Sequence, residues 1–406
     1  MRSPLVRAVA VLLVVPAAAG AQTMSLTEAQ ALAQLSPEHP LVRAVSAPVD
    51  VARAEVLRAG RRPNPRATYD RESVAGVTEH LAMVGQVLPI SGRRSLEISA
   101  ASALVDASSS RVGDQVRRLR ADLRLAYADL VAAQLQEQEL AAVHARLQEL
   151  TAALAKREAA GDAAGFDRLR AERETLEIEI DRAAAAAERL RAQATLAGYL
   201  LPTASASTIT AVAPPLSRAP LPALDDLLSR AEQSRGEIVA LRREIDAASF
   251  AERAAGRRLI PEPEVVAGTK SSNAGAGDVG SVISVHVPIP LFDRGQPERA
   301  AASARRAQSQ AELERLRIAL RSQVGMWRDA VITRRAIADK YRGAVQATAE
   351  LERIAQVSYD AGERGILELL DAYRVTATAR VRQGALDLAA RQAELELEFV
   401  SGWEIP

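Results

Sequence analysis

Two stretches of this 406-residue chain, Ser95 to Ala160 and Glu298 to Ala361, each run for about 65 residues without a proline. Both are rich in Ala, Leu, Arg, Glu and Gln, the residues that lose least on entering a helix. At 1.5 Å of rise per residue each stretch makes a rod on the order of 100 Å, longer than any compact domain of 43.3 kDa. Aromatic residues supply only 3% of the chain against 48% hydrophobic residues overall, so the interior is aliphatic and alanine-rich. Apolar positions recur at spacings of three and four with many alanines among them, which suits close helix packing in a coiled-coil-like layer. Cysteine is absent, which excludes disulfides, thiolate nucleophiles, cysteine metal sites and the acyl-accepting cysteine of a lipoprotein.

The long runs belong to a chain written twice. Pro63-Asn64-Pro65 leads into an extended stretch that closes on Leu88-Pro89-Ile90, and Pro261-Glu262-Pro263 leads into another that closes on Ile289-Pro290-Leu291. The two openings lie 198 residues apart and the two closings 201, and Gly161 and Gly362 are also 201 apart. A repeat of this length and order predicts two structural copies, 22–202 and 223–406, joined by a Pro/Ala/Ser/Thr-rich linker at 203–222. Each copy starts with a helical stretch, Leu26 to Gly60 and Leu221 to Arg258, stopped by Pro-x-Pro. A strand pair follows, within 66–88 and 264–289: Arg66 to Val74 with Glu79 to Leu88, and Glu264 to Ser271 with Gly280 to Ile289. The clearest member alternates Ile283, Val285, Val287 and Ile289 with Ser284 and His286, the period of two of a strand with one apolar face. The long helix comes next, then a glycine turn, then a return helix, Gly165 to Ala197 and Gly365 to Val400.

The N-terminus carries Arg2 and Arg7, an apolar run from Ala8 to Val15, and Ala19-Gly20-Ala21, the layout of a cleaved secretory signal at 1–21. Removing it leaves 50 basic against 51 acidic residues, a net charge of −1, so the chain lacks the footprint of a nucleic-acid binder. After Gln22 no window of 18 apolar residues occurs, and any part of the chain within a membrane is therefore a β-barrel. Four short strands cannot close one, because the smallest spanning barrels need eight. Three copies supply twelve strands, and the long helices then gather into a tube of the same symmetry. The expected architecture is mainly α with a small β part: a homotrimer with a long α-helical barrel below a 12-stranded transmembrane β-barrel.

The residues resemble the TolC-like outer-membrane factors, the exit ducts of tripartite efflux pumps and type I secretion systems, in their metal and drug efflux branch. The landmarks are Glu38-His39-Pro40-Leu41, Ala59-Gly60-Arg61-Arg62-Pro63-Asn64-Pro65, Val287-Pro288-Ile289-Pro290-Leu291-Phe292-Asp293, and Tyr359-Asp360-Ala361-Gly362-Glu363-Arg364-Gly365-Ile366-Leu367-Glu368-Leu369-Leu370-Asp371-Ala372. His39 stands where the family usually has Asn, and Glu368 where it usually has Asp. The resemblance implies a passive duct in the outer membrane of a Gram-negative-type cell, with a large periplasmic extension. Its partners would be two further copies, outer-membrane lipid, a periplasmic adaptor and an inner-membrane pump.

In such a duct the helical hairpins end at Gly161 and Gly362, where glycine suits a left-handed reversal. Glu368 and Asp371 lie three apart and share a helix face. Facing the bore, they would form two stacked carboxylate rings that attract cations. The resemblance makes this constriction the gate, with Tyr359, Arg364 and Asp167 bonding between coils, and makes Gly161-Asp162 and Gly362-Glu363 docking points for an adaptor. Two plainer readings stand beside these: acids in a helix's first turn are favoured by its dipole alone, and a glycine turn reverses a chain whether or not anything docks there.

Enzyme chemistry is not expected. His39, His80, His144 and His286 are scattered without ligand-like spacing, the methionines are dispersed, and Gly275 to Gly280 matches G-x-G-x-x-G but precedes a strand. No cofactor or metal site is expected. Two rival classes remain at this level: a periplasmic adaptor, which usually carries one hairpin rather than two, and an exported coiled-coil protein, which leaves the strands unexplained. The transported solute is not written in the sequence.

Overall fold

The computed structural model describes residues 24–161, 165–201, 206–215, 219–275 and 277–404. The expected signal segment and Asp162 lie outside them. The first copy contains β1 (Met24–Leu26), α1 (Glu28–Gln34), α2 (Pro40–Ala59), β2 (Arg66–Val74), β3 (Val77–Val87), α3 (Arg93–Ala159) and α4 (Gly165–Ala197). Then come β4 (Ile209–Ala211), α5 (Leu224–Ser234), α6 (Gly236–Gly256), β5 (Glu264–Ser272), β6 (Val279–His286), α7 (Gln296–Asp360) and α8 (Ile366–Ser401). The two long helices hold 67 and 65 residues, and each starts after a left-handed glycine, Gly92 at φ 72° and Gly295 at φ 80°.

Three expectations need correction. The opening helical stretch of each copy is broken in two. In the first, Pro37 and Pro40 interrupt the backbone, and His39 restarts the helix as N-cap, its Nδ1 accepting from the Leu41 N–H at 3.2 Å. In the second, Arg235 turns extended and Asp114 of α3 accepts from the Glu237 N–H at 3.0 Å. Strand β6 ends at His286 rather than Ile289, because Pro288 and Pro290 have no N–H to give a ladder. The stretch 203–222 also does more than connect. Its β4 pairs in parallel with β1, and polar side chains from mid-helix strap it down. The Tyr127 hydroxyl donates to the Leu26 carbonyl, Gln134 bonds both backbone groups of Ala211, and Gln193 donates to the Ile209 carbonyl.

The four longer strands form one antiparallel sheet in the order β2-β3-β5-β6, so the two copies join at the β3–β5 ladder. Below the sheet α3 and α7 run the length of the molecule. In the half near the sheet α2 packs on α3, and α6 lies between α3 and α7. In the far half α4 replaces α2 and α8 replaces α6, giving a layer ordered α4-α3-α8-α7. Three apolar clusters follow this plan: one around Leu123, Tyr127 and Leu196, one around Val324, Val331 and Leu397, and one near the glycine turns around Leu147, Ile178 and Leu369. An ion network ties the copies at mid-height: Glu28 bridges Arg124 at 2.5 Å and Arg391 at 3.2 Å, and Glu394 joins Arg391 to Arg335. Among the described residues no helix is long and apolar enough to cross a membrane.

Candidate functional site

The far ends of the two hairpins share one backbone solution. Gly161 has φ 83° and Gly362 φ 75°, the left-handed conformation that releases a helix. In each, the glycine N–H returns to a carbonyl three residues back, Glu158 at 2.9 Å and Tyr359 at 3.0 Å. Glu363 adds a bond to the Ser358 carbonyl at 2.9 Å, which closes the second turn. No Cβ placed on either glycine would clash, so the conformation, not a close neighbour, selects glycine there.

Tyr359, from the last turn of α7, leans against the apolar cluster of Leu147, Leu369 and Tyr373. The guanidinium of Arg157, on α3, lies 6.0 Å from its ring centroid. Burial raises the Tyr359 phenol above its ordinary value; Arg157 pulls it down, while Asp167 and Asp360 add to the rise. Arg168, the neighbour of Asp167, pairs instead with Glu158 at 2.5 Å and Glu172 at 2.6 Å.

Glu368 and Asp371 are exposed on one side of α8, whose other side buries Ile366, Leu369, Leu370 and Tyr373. Their positions differ in kind. Glu368 occupies the third helical position, and one carboxylate oxygen lies 3.2 Å from where a Gly365 side chain would begin, so the acid folds back over the helix N-terminus. Favourable interaction with the dipole accounts for that placement. Asp371 is a turn further on, where the dipole fades, and its carboxylate has no such explanation. Arg364 and Glu363 are exposed in the turn, and among the described residues neither forms an ion pair in the chain.

Sequence reasoning missed Arg157 and Glu158, which approach the site from the end of α3. A charged residue ending a long helix gives no signal of its own; the doubled glycine turn, which superimposes the two hairpin ends, was the available clue.

The geometry defines a fold class: one four-stranded antiparallel sheet above long paired helices with charged, glycine-turned ends, the TolC-like fold. CusC has the same fold, with a TM-score of 0.72, 18% identity and coverage of 93% of this chain and 92% of that one. VceC of Vibrio cholerae matches at 0.71, with 15% identity over 93% and 97%. The outer membrane efflux protein family model matches residues 227–402 of the chain. The cobalt-zinc-cadmium resistance protein CzcC of Cupriavidus metallidurans is 25% identical over 340 residues, covering 82% of this chain and 80% of its own length.

Proposed function

We propose that the chain is the outer-membrane exit duct of a tripartite efflux pump, passive and homotrimeric. One observation carries this reading: both layers of the protomer end in open edges at the same two sides. The sheet leaves β2 and β6 unpaired, and an open edge within lipid strands its backbone groups. The helical layer leaves α4 and α7 outermost, each with a second apolar row facing away from its partners. On α4 the row is Phe166, Leu169, Leu176, Ile180 and Leu190; on α7 it is Ile337, Ala344, Ala347, Leu351 and Ile354, both at alternating coiled-coil spacing and all exposed in the single chain. Joining the α7 edge of one copy to the α4 edge of the next is a head-to-tail contact that closes into a ring. Three copies give twelve strands.

In that ring the tip acids face a common axis. Asp371 supplies the electrostatic constriction, with Glu368 beside it, and Arg364, exposed in the turn and without an ion pair among the described residues, bridges to a neighbouring copy. Tyr359 and Asp167 hold the two hairpins of one chain together. The turns at Gly161-Asp162 and Gly362-Glu363 are the docking points for a periplasmic adaptor, and energy comes from an inner-membrane pump. The name of the CzcC relative suggests divalent metal ions as the load, and other small toxic solutes fit the same duct.

Cysteine pairs in this cysteine-free chain test the edge. Leu176 and Ala347 each lie fifteen residues from their tip glycine, on opposite edges. Leu176→Cys with Ala347→Cys should oxidise to a covalent trimer, and the trimer should conduct in a planar bilayer. A monomer under all oxidising conditions, with no conductance, would overturn the reading.

A further inference from the structure

The sheet is two-faced, and register tells the faces apart. Ala82, Val84, Val265, Ala267, Ile283 and Val285 share one face and are exposed, whereas Met83, Gly85, Val266, Gly268, Val282 and Ser284 on the other are shielded. The shielded face is the concave one. Two glycines permit that curl: a Cβ on Gly268 would lie 2.1 Å from the Ala82 carbonyl oxygen, and one on Gly85 would meet Glu264 at 2.6 Å. The concave face also carries Asp70, Glu72, Glu79, Glu264 and Lys270, with Lys270 and Glu79 paired at 2.6 Å. The convex face is mostly apolar and carries no charge until Arg71 and His80, its polar residues being Gln86, Thr269 and Ser281; Arg71 and His80 stand opposite each other near the outer end, where Tyr69 bonds His80 at 2.7 Å.

Below the charged level of Arg71 and His80, the hydrogen-bonded part of the sheet is shorter than the band it must cover. From His80 to Val87 is seven residues, about 24 Å along the strand and about 17 Å of height at a barrel tilt near 45°. An outer-membrane barrel presents an apolar band of about 25 Å. What continues downward is a Pro-centred turn in each copy: Ile90 N–H to the Leu88 carbonyl, and Leu291 N–H to the Ile289 carbonyl, both 2.9 Å. These turns are apolar and bare. Ile90 is 65% exposed, Ile289 74% and Phe292 92%. From His80 to Ile90 is ten residues, about 34 Å of chain and about 24 Å of height, which completes the band. A charged collar begins at once below: Arg93 beside Glu262, Arg94 on the Gly60 carbonyl, and Arg258 between Asp293 and Glu298.

We infer that Leu88-Pro89-Ile90 and Val287 to Phe292 form a membrane foot, two non-strand segments whose apolar side chains sit at the boundary between the acyl chains and headgroups of the periplasmic leaflet, with the arginine collar just below. The inference rests on reading the sheet as part of an outer-membrane barrel. The foot supplies the height that the short strands lack, and it fixes how deep the duct sits without a lipid-modified cysteine.

The test uses single cysteines in the full-length trimer reconstituted in phosphatidylcholine vesicles, each carrying a bimane and read by quenching from nitroxide lipids. Ile283→Cys reports the sheet, Ile289→Cys and Phe292→Cys the foot, and Glu363→Cys the aqueous tip. Position 283 should be quenched best by a nitroxide deep in the chain, 289 and 292 at least twofold better by one near the headgroup, and 363 by neither. Quenching at 283 with none at 289 and 292 overturns the foot while leaving the barrel. No quenching at 283 either removes the barrel reading itself.

Discussion

The two copies solve each backbone problem alike and then spend their side chains differently. At the first hairpin tip Arg168 is held between Glu158 and Glu172, closing α3 against α4. At the second, Glu363, Arg364, Glu368 and Asp371 stand exposed, and among the described residues none of them forms an ion pair. The breaks in the opening helices show the same split. The first restarts on its own residue, His39. The second restarts on Asp114, borrowed from the other copy, which also lies 3.4 Å from Arg235 and 2.9 Å from Arg117. Arg235 in turn sits 4.7 Å over the Phe399 ring. The first break is thus closed by a residue of its own copy, and the second by a residue of the other.

The largest break in that comparison is Asp114→Ala. It removes both the cap of α6 and the carboxylate beside Arg235, whose side chain is 10% exposed. Leaving a buried charge without its partner costs about 3 kcal/mol. Amide exchange at Glu237 to Leu241 should accelerate about a hundredfold, while exchange at Leu41 to Ala44 stays as it was. Equal acceleration in both copies would erase the distinction.

A smaller effect is expected at the tips. Glu368→Gln with Asp371→Asn should weaken divalent-cation block of single-channel current about tenfold, equivalent to about 1.4 kcal/mol of cation binding. Asp167→Asn, in the first hairpin, should leave it within a factor of two. Asp371→Asn alone should account for most of the loss, because Glu368 is occupied with its helix end; the reverse order would reassign the ring.

What the sequence made legible follows from the range of the forces involved. Ile283 and Val285 announced a strand because alternation is local, and Gly161 and Gly362 announced reversals because φ is a property of one residue. The break at Arg235 was hidden. It arises because Gly236 lies against α3, where any Cβ would come within 2.0 Å of the Ser110 carbonyl oxygen, a contact more than 120 residues away in the chain. The straps from Tyr127, Gln134 and Gln193 were hidden for a related reason, since a polar residue inside a helical pattern reads as solvent-facing until the strand it holds is seen. At the tip the residues were legible and their partners were not: Tyr359 stood out by its place before the glycine, but nothing in sequence brings Arg157 to its ring.

The locally capped break of the first copy carries a fault that substitution can expose. His39 is 4% exposed, its Nδ1 accepts the capping bond, and its Nε2 has no partner. A buried polar atom left unpaired costs about 1–3 kcal/mol, part of which the cap returns. His39→Asn keeps the cap with a better capping residue and removes the orphan, so it should stabilise the α2 start by about 1 kcal/mol. Amide exchange at Leu41 to Arg43 should slow about fivefold. His39→Ala should move it the other way by a similar factor, and slowing in both variants would show that the imidazole was only crowding the site.

The smallest effect separates the hairpins by pH. The second carries two tyrosines near its tip, half-buried Tyr359 and buried Tyr373, and the first has Phe166 at its turn. Burial raises both phenols; Arg157 opposes the rise at Tyr359 and Arg146 at Tyr373, with Asp360 adding to it in each. A group whose folded value is raised favours the protonated form, so its contribution is complete below the unfolded value of about 10 and is lost as pH climbs through the folded value. The α7–α8 end should therefore loosen above about pH 10 while the α3–α4 end does not, read as the exchange of amides at Ile366 to Tyr373 against those at Leu169 to Glu174. Tyr359→Phe with Tyr373→Phe should abolish the difference, although the second substitution also removes the hydroxyl's bond to Gln356. If loosening persists in that double variant, the alkaline step does not belong to these two phenols and the burial of tyrosine does not distinguish the two ends.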